Sequence, residues 1–422
     1  MAKVVVVGGG WSGCAAALAA AKAGADVTLL ERTDLLLGAG LVAGIMRNNG
    51  RYTAAEEMIA MGAGELFHIT DQSARHRNLN FPGHEHASIY DVTIIEPMVR
   101  LQLEAKGVRV RTEARIVDVV KQGDRIVSVI TDGEDEYSGD VFVDTTGTTG
   151  PMGNCTKNGN GCAMCILRCP AFGGRVSLTA LAGVREMRAR RKDGGFGAMS
   201  GSCKLDKSSL RADIADTLTQ KGVIVIPLPA EQVKPEKLNK KVCQQYALPE
   251  FAENLVLIDT GHAKMMTSFF PLDQLRTIPG FEKVHYTDPY GGTRGNSVRF
   301  NALAPRDNTM RVIGVQNLFC GGEKAGPFVG CTEAICTGTL GGFNAARFAM
   351  GQPLLELPAT IAVGDLVQFV NQRIQFGAGL YERYTFSGSV YFNRMKEKGL
   401  YSIDNNAIRD RVRAAGMEGV FR

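Results

Sequence analysis

Val4-Val5-Val6-Val7-Gly8-Gly9-Gly10-Trp11-Ser12-Gly13 decides the fold of this 422-residue chain. Four consecutive β-branched residues suit a strand buried on both faces of a parallel sheet. The glycines at 8, 10 and 13 fit Gly-x-Gly-x-x-Gly. The first makes a tight turn, the second lets a pyrophosphate approach the backbone, and the third lets helix and strand pack closely. Cys14 to Ala23 is alanine-rich and helix-forming, Gly24 is a natural stop, and Asp26 to Leu30 reads as a second strand ending in Glu31. Glu31 stands eighteen residues beyond Gly13, where an acidic side chain can bind the ribose hydroxyls of an adenosine. Strand, glycine triplet, helix, strand and acid in this order specify a dinucleotide site far better than the glycines alone.

Composition narrows the class further. With 45% hydrophobic and 22% charged residues the chain can bury a substantial core, and its 50 glycines follow no triplet repeat, which excludes a collagen-like protein. No apolar run reaches the ~18 residues of a membrane span. Met1-Ala2-Lys3 leads directly into the first strand and does not read as a signal peptide, so the expected compartment is the cytoplasm. The net charge of +5 is too mild to argue for nucleic acid. Ten cysteines in such a compartment are expected to be reduced thiols, metal ligands or redox groups.

The nature of the dinucleotide is read further along. Thr112 to Val120 and Arg125 to Ile130 read as strands about the Gly123-Asp124 turn, and Tyr137 to Asp144 continues them, closing in Thr145-Thr146-Gly147. An acid, two small residues and glycine after a strand resemble the glutathione-reductase type of FAD domain. Val315-Gln316-Asn317-Leu318-Phe319-Cys320-Gly321-Gly322-Glu323 resembles the second FAD signature of that group, and the resemblance assigns Glu323 to the ribityl chain. Thr332 to Arg347 reads as a long small-residue helix whose positive end can face the flavin pyrimidine. The residues nominated for the cofactor are Gly8, Gly10, Trp11, Ser12, Gly13, Glu31, Arg32, Val117, Gly147, Gly322, Glu323, Cys331 and Thr332.

Cys155, Cys162, Cys165 and Cys169 fall within fifteen residues, and the last three read Cys-x-x-Cys-x-x-x-Cys-Pro, much as bacterial ferredoxin ligand runs end. A 4Fe-4S iron–sulfur cluster is the preferred reading. The first gap is longer than in ferredoxins, and tetrahedral zinc or a thiol relay fits the spacing too. Cys203 and Cys243 are substitute fourth ligands, while Cys14, Cys320, Cys331 and Cys336 are read as packing residues.

Over Val4 to Arg32, Asp144 to Leu178 and Asn317 to Arg347 the chain resembles the FAD-dependent oxidoreductase family related to glucose-inhibited division protein A and to the folate- and FAD-dependent tRNA uridine methyltransferase. Gly321-Gly322-Glu323-Lys324-Ala325-Gly326-Pro327, followed by Thr332-Glu333-Ala334, carries the likeness most specifically. The resemblance implies a runner-up function, flavin-dependent RNA methylation with a structural metal or thiol site. It also implies a cysteine in the loop near the flavin, and Gly44 to Gly50 contains none.

The expected fold class is α/β, a Rossmann-like FAD-binding domain of the glutathione-reductase type with an inserted α+β substrate or cap domain. Residues 1–155 and 301–352 would form the FAD domain, 156–300 the insertion carrying the cysteine cluster, and 353–422 a mainly helical, polar segment. Ser208 to Thr219 reads as a helix, and Val223 to Ile226 and Leu255 to Ile258 as strands. Arg185 to Lys192 reads as a solvated helix face in preference to a phosphate site, and His84-x-His86 as a solvated loop pair in preference to a metal or acid–base site, while Arg294, Arg299 and Arg306 suit an anionic substrate or the FAD phosphates as well as ordinary surface pairing. The expected function is electron transfer between FAD and the cluster, with a small-molecule substrate, a ferredoxin-type carrier as partner, no membrane or nucleic acid, and a homo-oligomer as a plausible assembly. No catalytic acid or base is nominated.

Overall fold

The computed structural model describes residues 1–147, 172–191, 194–195, 198–200, 203–240, 247–267, 270–287, 297–299 and 302–422. Its centre is a five-stranded parallel sheet. The strands are β1 (Lys3–Val7), β2 (Asp26–Leu30), β6 (Arg109–Arg111), β10 (Val141–Asp144) and the Leu318–Cys320 strand. They run in the order Leu318–Cys320, β10, β1, β2, β6, and every pairing is parallel. The valine run of β1 is buried at each of its four positions, as a strand covered on both faces requires. Chain order reverses between β2 and β10 on either side of β1, and ligands of open parallel sheets bind beyond the strand ends at such a point.

Helix α1 (Trp11–Lys22) lies beside the Cys331–Ala349 helix across this sheet. The approach is backbone to backbone: a Cβ at Gly338 or Gly342 would overlap the carbonyl oxygens of Ser12 and Ala16. The alanines of α1 from Ala15 to Ala20 are buried, so small side chains on both helices set the close contact.

Among the described residues three antiparallel sheets of three or four strands accompany the nucleotide sheet. β3 (Ile45–Met46), β4 (Ala74–Phe81) and β5 (His84–Tyr90) pair in the order β3-β5-β4, and β7 (Ile116–Gln122), β8 (Arg125–Thr131) and β9 (Glu136–Ser138) in sequence order. A four-stranded sheet takes Lys204–Leu205, Ala263–Met265, Asn254–Asp259 and Val223–Pro227 in that order. The first and third of these sheets share one apolar cluster, in which Ile45, Phe81 and Ile89 meet Phe251, Val256 and Ile258. They are also tied by charge. Buried Asp259 receives Arg75 Nε at 3.0 Å, His76 Nε2 at 3.1 Å and Lys207 Nζ at 2.6 Å.

Several expectations are corrected. The strand expected from Thr112 starts at Ile116, because Arg109–Arg111 forms β6 first and adds to the parallel sheet. The expected Tyr137–Asp144 strand breaks at Gly139, where a Cβ would meet Val5 Cγ2 at 2.9 Å. The Ser208–Thr219 helix is a 3-10 turn, Lys207–Ser209, followed by a helix over Ala212–Lys221 that ends at Gly222 with φ +77°. Arg185 to Lys192 is not a helix face: Met187–Arg188 is a short strand paired with Ala302–Leu303. His84 is not solvated. It begins β5, is 2% exposed, and stacks on Phe81 with centroids 4.2 Å apart. The C-terminal segment is less polar in effect than in composition, since Leu366, Tyr391 and Val412 of its helices and Phe421 beyond them join the main core.

Candidate functional site: a dinucleotide groove at the carboxyl ends of the parallel strands

The glycine loop leaves β1 with Gly8 at φ +102°, a conformation that favours glycine, and a Cβ there would lie 2.5 Å from the Thr145 carbonyl oxygen. Gly13 is required by packing, because its Cβ would overlap the Gly8 oxygen. Gly10, the residue capping α1, has nothing within 4 Å of its Cβ position. The side chain the sequence omits there leaves space where the helix N-terminus presents its amides.

Ser12 is the point where both signatures meet. Its hydroxyl is buried and has no hydrogen-bond partner, and a Cβ at Gly321 would come within 2.5 Å of it. Gly322 follows at φ +65°, with its amide donating to Thr337 Oγ1 at 2.9 Å. A buried donor left over between two glycine turns, beside a helix N-terminus, fits the pyrophosphate of FAD. The residues present therefore suit the cofactor on the chemistry of their donors.

Glu31 faces the same loop. Its Oε2 accepts from the Gly9 amide at 2.7 Å, and its Oε1 from the Thr33 amide at 2.9 Å and hydroxyl at 3.0 Å. The acid nominated for the ribose thus also fastens the glycine loop to the end of β2. Arg32 donates from Nη1 to the Gly173 oxygen at 2.6 Å. Val117 lies on β7, in the edge sheet, three residues beyond Ala114, whose amide bonds the Glu31 carbonyl. Gly147 closes the turn after β10 at φ +71°. Glu323 sits on a 3-10 turn over Gly322–Lys324.

Cys331 and Thr332 begin the long helix. Thr332 Oγ1 contacts Met46 Sδ at 3.6 Å, and Cys331 Sγ lies 4.0 Å from the Tyr90 hydroxyl, which donates to the Gly40 oxygen at 2.5 Å. Trp11 meets Tyr90 edge-on at 5.9 Å, so the two nominated regions share one aromatic wall. Burial pushes the Cys331 thiol up, against the pull of Arg51 and Lys264. Burial also pushes Cys320 up to about 12, and raises Cys14 and Cys336, as expected of packing thiols.

Three residues have partners that their local sequence does not reveal. Asp144 ends β10 fully buried and accepts four hydrogen bonds: from the Thr146 amide and hydroxyl at 3.0 and 2.7 Å, and from the Thr179 amide and hydroxyl at 2.8 and 2.6 Å. Lys324 is buried against Glu186 Oε1 at 2.6 Å and Ser177 Oγ at 3.1 Å. Arg306 is spent on structure: it donates to the Ala325, Asp307 and Val367 oxygens and lies over Phe328, while burial brings it down to about 10. It is therefore not exposed to an anionic ligand. An acid after the second FAD strand was readable, but the partners of Lys324 lie more than 130 residues away.

Cys155, Cys162, Cys165, Cys169 and Cys243 lie outside the described residues, as does Arg294 and the side chain of Arg299. Among the described residues no group of three His, Cys, Asp or Glu side chains is placed to hold a metal ion. Cys203 is buried in the apolar cluster with Leu205 and Met265. His84 has its imidazole pushed down to about 3 by burial, so it is neutral at working pH. No helix among the described residues is long and apolar enough to cross a membrane.

Comparison with known proteins follows the two halves of the groove. A family described as FAD dependent oxidoreductase matches residues 3–150, and one described as glucose inhibited division protein A matches residues 253–353. The methylenetetrahydrofolate–tRNA-(uracil-5-)-methyltransferase of Dictyoglomus thermophilum is 32% identical over 99 residues, 24% of this chain and 22% of that protein. Its counterpart from Synechocystis sp. is 34% identical over 96 residues, 23% and 20% of the two chains. The match thus spans about a fifth of the length of these curated relatives. GidA of Aquifex aeolicus in its form II crystal shares the fold over 100% of this chain and 74% of its own, with a TM-score of 0.70 at 19% identity. Its form I crystal gives 0.59 at 17% identity, over 98% and 78%. One family match holds β1, β2, β6 and β10, the other the fifth strand and the long helix, and between them they frame the dinucleotide groove: in these two stretches the chain is similar to the FAD-dependent oxidoreductases and to glucose inhibited division protein A.

Proposed function

We propose that the chain is an FAD-dependent oxidoreductase that moves electrons between a small substrate at the flavin and a 4Fe-4S centre held by Cys155, Cys162, Cys165 and Cys169, which serves a ferredoxin-type carrier. One observation carries this reading. The residues directly following the cysteine run are fastened to both turns of the FAD groove: Thr179 to Asp144 and Glu186 to Lys324, with Arg32 and Arg115 holding the Gly173 and Gly174 oxygens. The residues before it leave from Gly147, at the end of β10. The described residues on either side of the cysteine segment, Gly147 before it and Gly173 to Glu186 after it, therefore stand at the rim of the flavin site, which favours a redox role for it.

When bound, FAD accepts or gives electrons singly or in pairs, which joins a two-electron substrate to a one-electron carrier. The chain's own part is to bind and orient. Ser12 and the amides of the first turn of α1 hold the pyrophosphate, Glu31 the ribose, and Tyr90 with Trp11 keeps water from the wall beside Cys331.

A second reading, folate-dependent methylation of RNA, is favoured by the names of the curated relatives. Against it stands the loop from Gly44 to Gly50, which has no thiol and offers Met46 and Asn48 beside the long helix instead. The two readings separate on an anaerobic preparation assayed for flavin, iron, acid-labile sulfide and zinc. Electron transfer predicts about four irons per chain, bleached with the flavin by dithionite, and predicts that Cys165→Ser loses the iron while keeping FAD. Zinc or no metal, with FAD present, sinks it and promotes the second.

A further inference from the structure

The start of the Cys331–Ala349 helix contains an acid where its field matters most. Glu333 is in the first turn and its side chain is wholly buried. A negative charge there offsets the positive end of the helix, the end that would face the pyrimidine of a flavin bound in this groove. The structure answers with a second charge. Arg51, 4% exposed, places Nε 3.1 and 3.2 Å from the two Glu333 oxygens, although the residues are 282 positions apart in sequence.

The pair is held rigidly. Arg51 Nη2 donates to the Val329 oxygen at 2.9 Å and to Thr385 Oγ1 at 3.0 Å, and Nη1 donates to Asn48 Oδ1 at 3.1 Å. Glu333 Oε1 accepts from Thr385 Oγ1 at 2.7 Å and from the Phe386 amide at 2.8 Å. Gly330, which caps the helix at φ +138°, is required by both: a Cβ would overlap the Glu333 carboxylate and the Arg51 guanidinium. Both charges act on the neighbouring Cys331 thiol, Arg51 lowering its pKa and Glu333 raising it. Asn48, wholly buried, keeps Nδ2 without any partner, a donor beside this pair available to a group the chain does not itself supply.

We infer that Arg51 and Glu333 are positioning residues that set the reduction potential of the bound flavin: Arg51 neutralises Glu333, so the field of the long helix acts undiminished on the cofactor. The inference rests on FAD occupying the groove and is independent of whether the cysteines hold a cluster. Removing the acid's charge leaves Arg51 in excess and favours the reduced, more negative flavin. Adding an acid favours the oxidised form.

The test is the flavin midpoint potential of the full-length protein, measured by anaerobic reductive titration against a reference dye. Glu333→Gln is expected to raise it by at least a tenfold change in the oxidised-to-reduced equilibrium, about 30 mV for a two-electron couple. Asn48→Asp, which adds an acid at the residue accepting from Arg51 Nη1, is expected to lower it by a similar factor, and Arg51→Lys to leave it within threefold of the parent. The opposite signs distinguish a field effect from damage, which would shift both variants alike. Unchanged potentials in both variants with FAD bound, or shifts of the same sign, overturn the inference. Should Glu333→Gln fail to fold, Asn48→Asp alone decides. Absence of FAD from the parent protein would instead defeat the assignment of the groove.

Discussion

The nucleotide sheet and the pair of antiparallel sheets beside it are held together by different means. Around β1 the contacts are made by what is missing: Gly13, Gly338 and Gly342 bring backbone against backbone, and valines and alanines fill the rest. Between the β3-β5-β4 sheet and the Val223–Met265 strands a small apolar cluster is reinforced by one buried carboxylate, Asp259, with three basic neighbours. Close packing tolerates almost no added volume. A charge network instead tolerates shape and depends on protonation. The first region should therefore break by sterics at any pH, and the second by acid.

The largest effect is expected at Gly13→Ala, where the new methyl overlaps the Gly8 oxygen. The purified protein should carry no flavin or fail to accumulate, read from the flavin-to-protein absorbance ratio. A variant with full flavin would mean that the loop is not as tight as the close packing requires.

Next comes Asp259→Asn. Burial pushes the Asp259 carboxyl up, but hydrogen bonds and charge from Lys207, His76 and Arg75 outweigh it and hold the group below the usual range. A depressed acid contributes stability that is present above the unfolded-state value of about 3.9 and is lost as pH falls through the lower folded value. Arg75, His76 and Lys207 stay partly exposed, so losing their buried anion costs about 1–2 kcal/mol at neutral pH. The melting temperature of the variant should thus be lower at pH 7 and should approach the parent's below pH 4. A parent and variant that differ equally at pH 7 and pH 3 would contradict this.

The smallest effect separates cofactor binding from folding. Ser12→Ala should weaken FAD about fivefold, one hydrogen bond of about 1 kcal/mol. It should leave the melting temperature of the flavin-free protein unchanged, because the hydroxyl has no partner within the chain. A lower melting point without FAD would show that the hydroxyl serves the fold.

What could be read in the sequence divides along the same line. Val4 to Glu31 is legible because every constraint on it is local: strand, turn, helix and acid follow within one βαβ unit, and the spacing alone brings Glu31 to Gly9. Leu318 to Glu323 is legible for the same reason. β6 escaped because Arg-Val-Arg looks like a polar turn and becomes a strand only through its pairing with β2. His84 looked solvated because Pro82-Gly83 marks a turn, whereas Phe81 and Phe251, the latter from far along the chain, enclose the imidazole. Arg51 with Glu333, and Lys324 with Glu186, are partners that only the folded chain brings together. Charged residues buried in pairs have no periodicity to reveal them.

The four hydrogen bonds on Asp144 have a consequence for how this protein can vary. Thr146 and Thr179 grip the same carboxylate, so the chain between them begins and ends on one side chain. The ends of such an excursion are already together, and lengthening it costs little, about 0.6 kcal/mol for each doubling. Changes of length between 147 and 172 should therefore cost the parallel sheet little, because Asp144 closes that stretch from both sides.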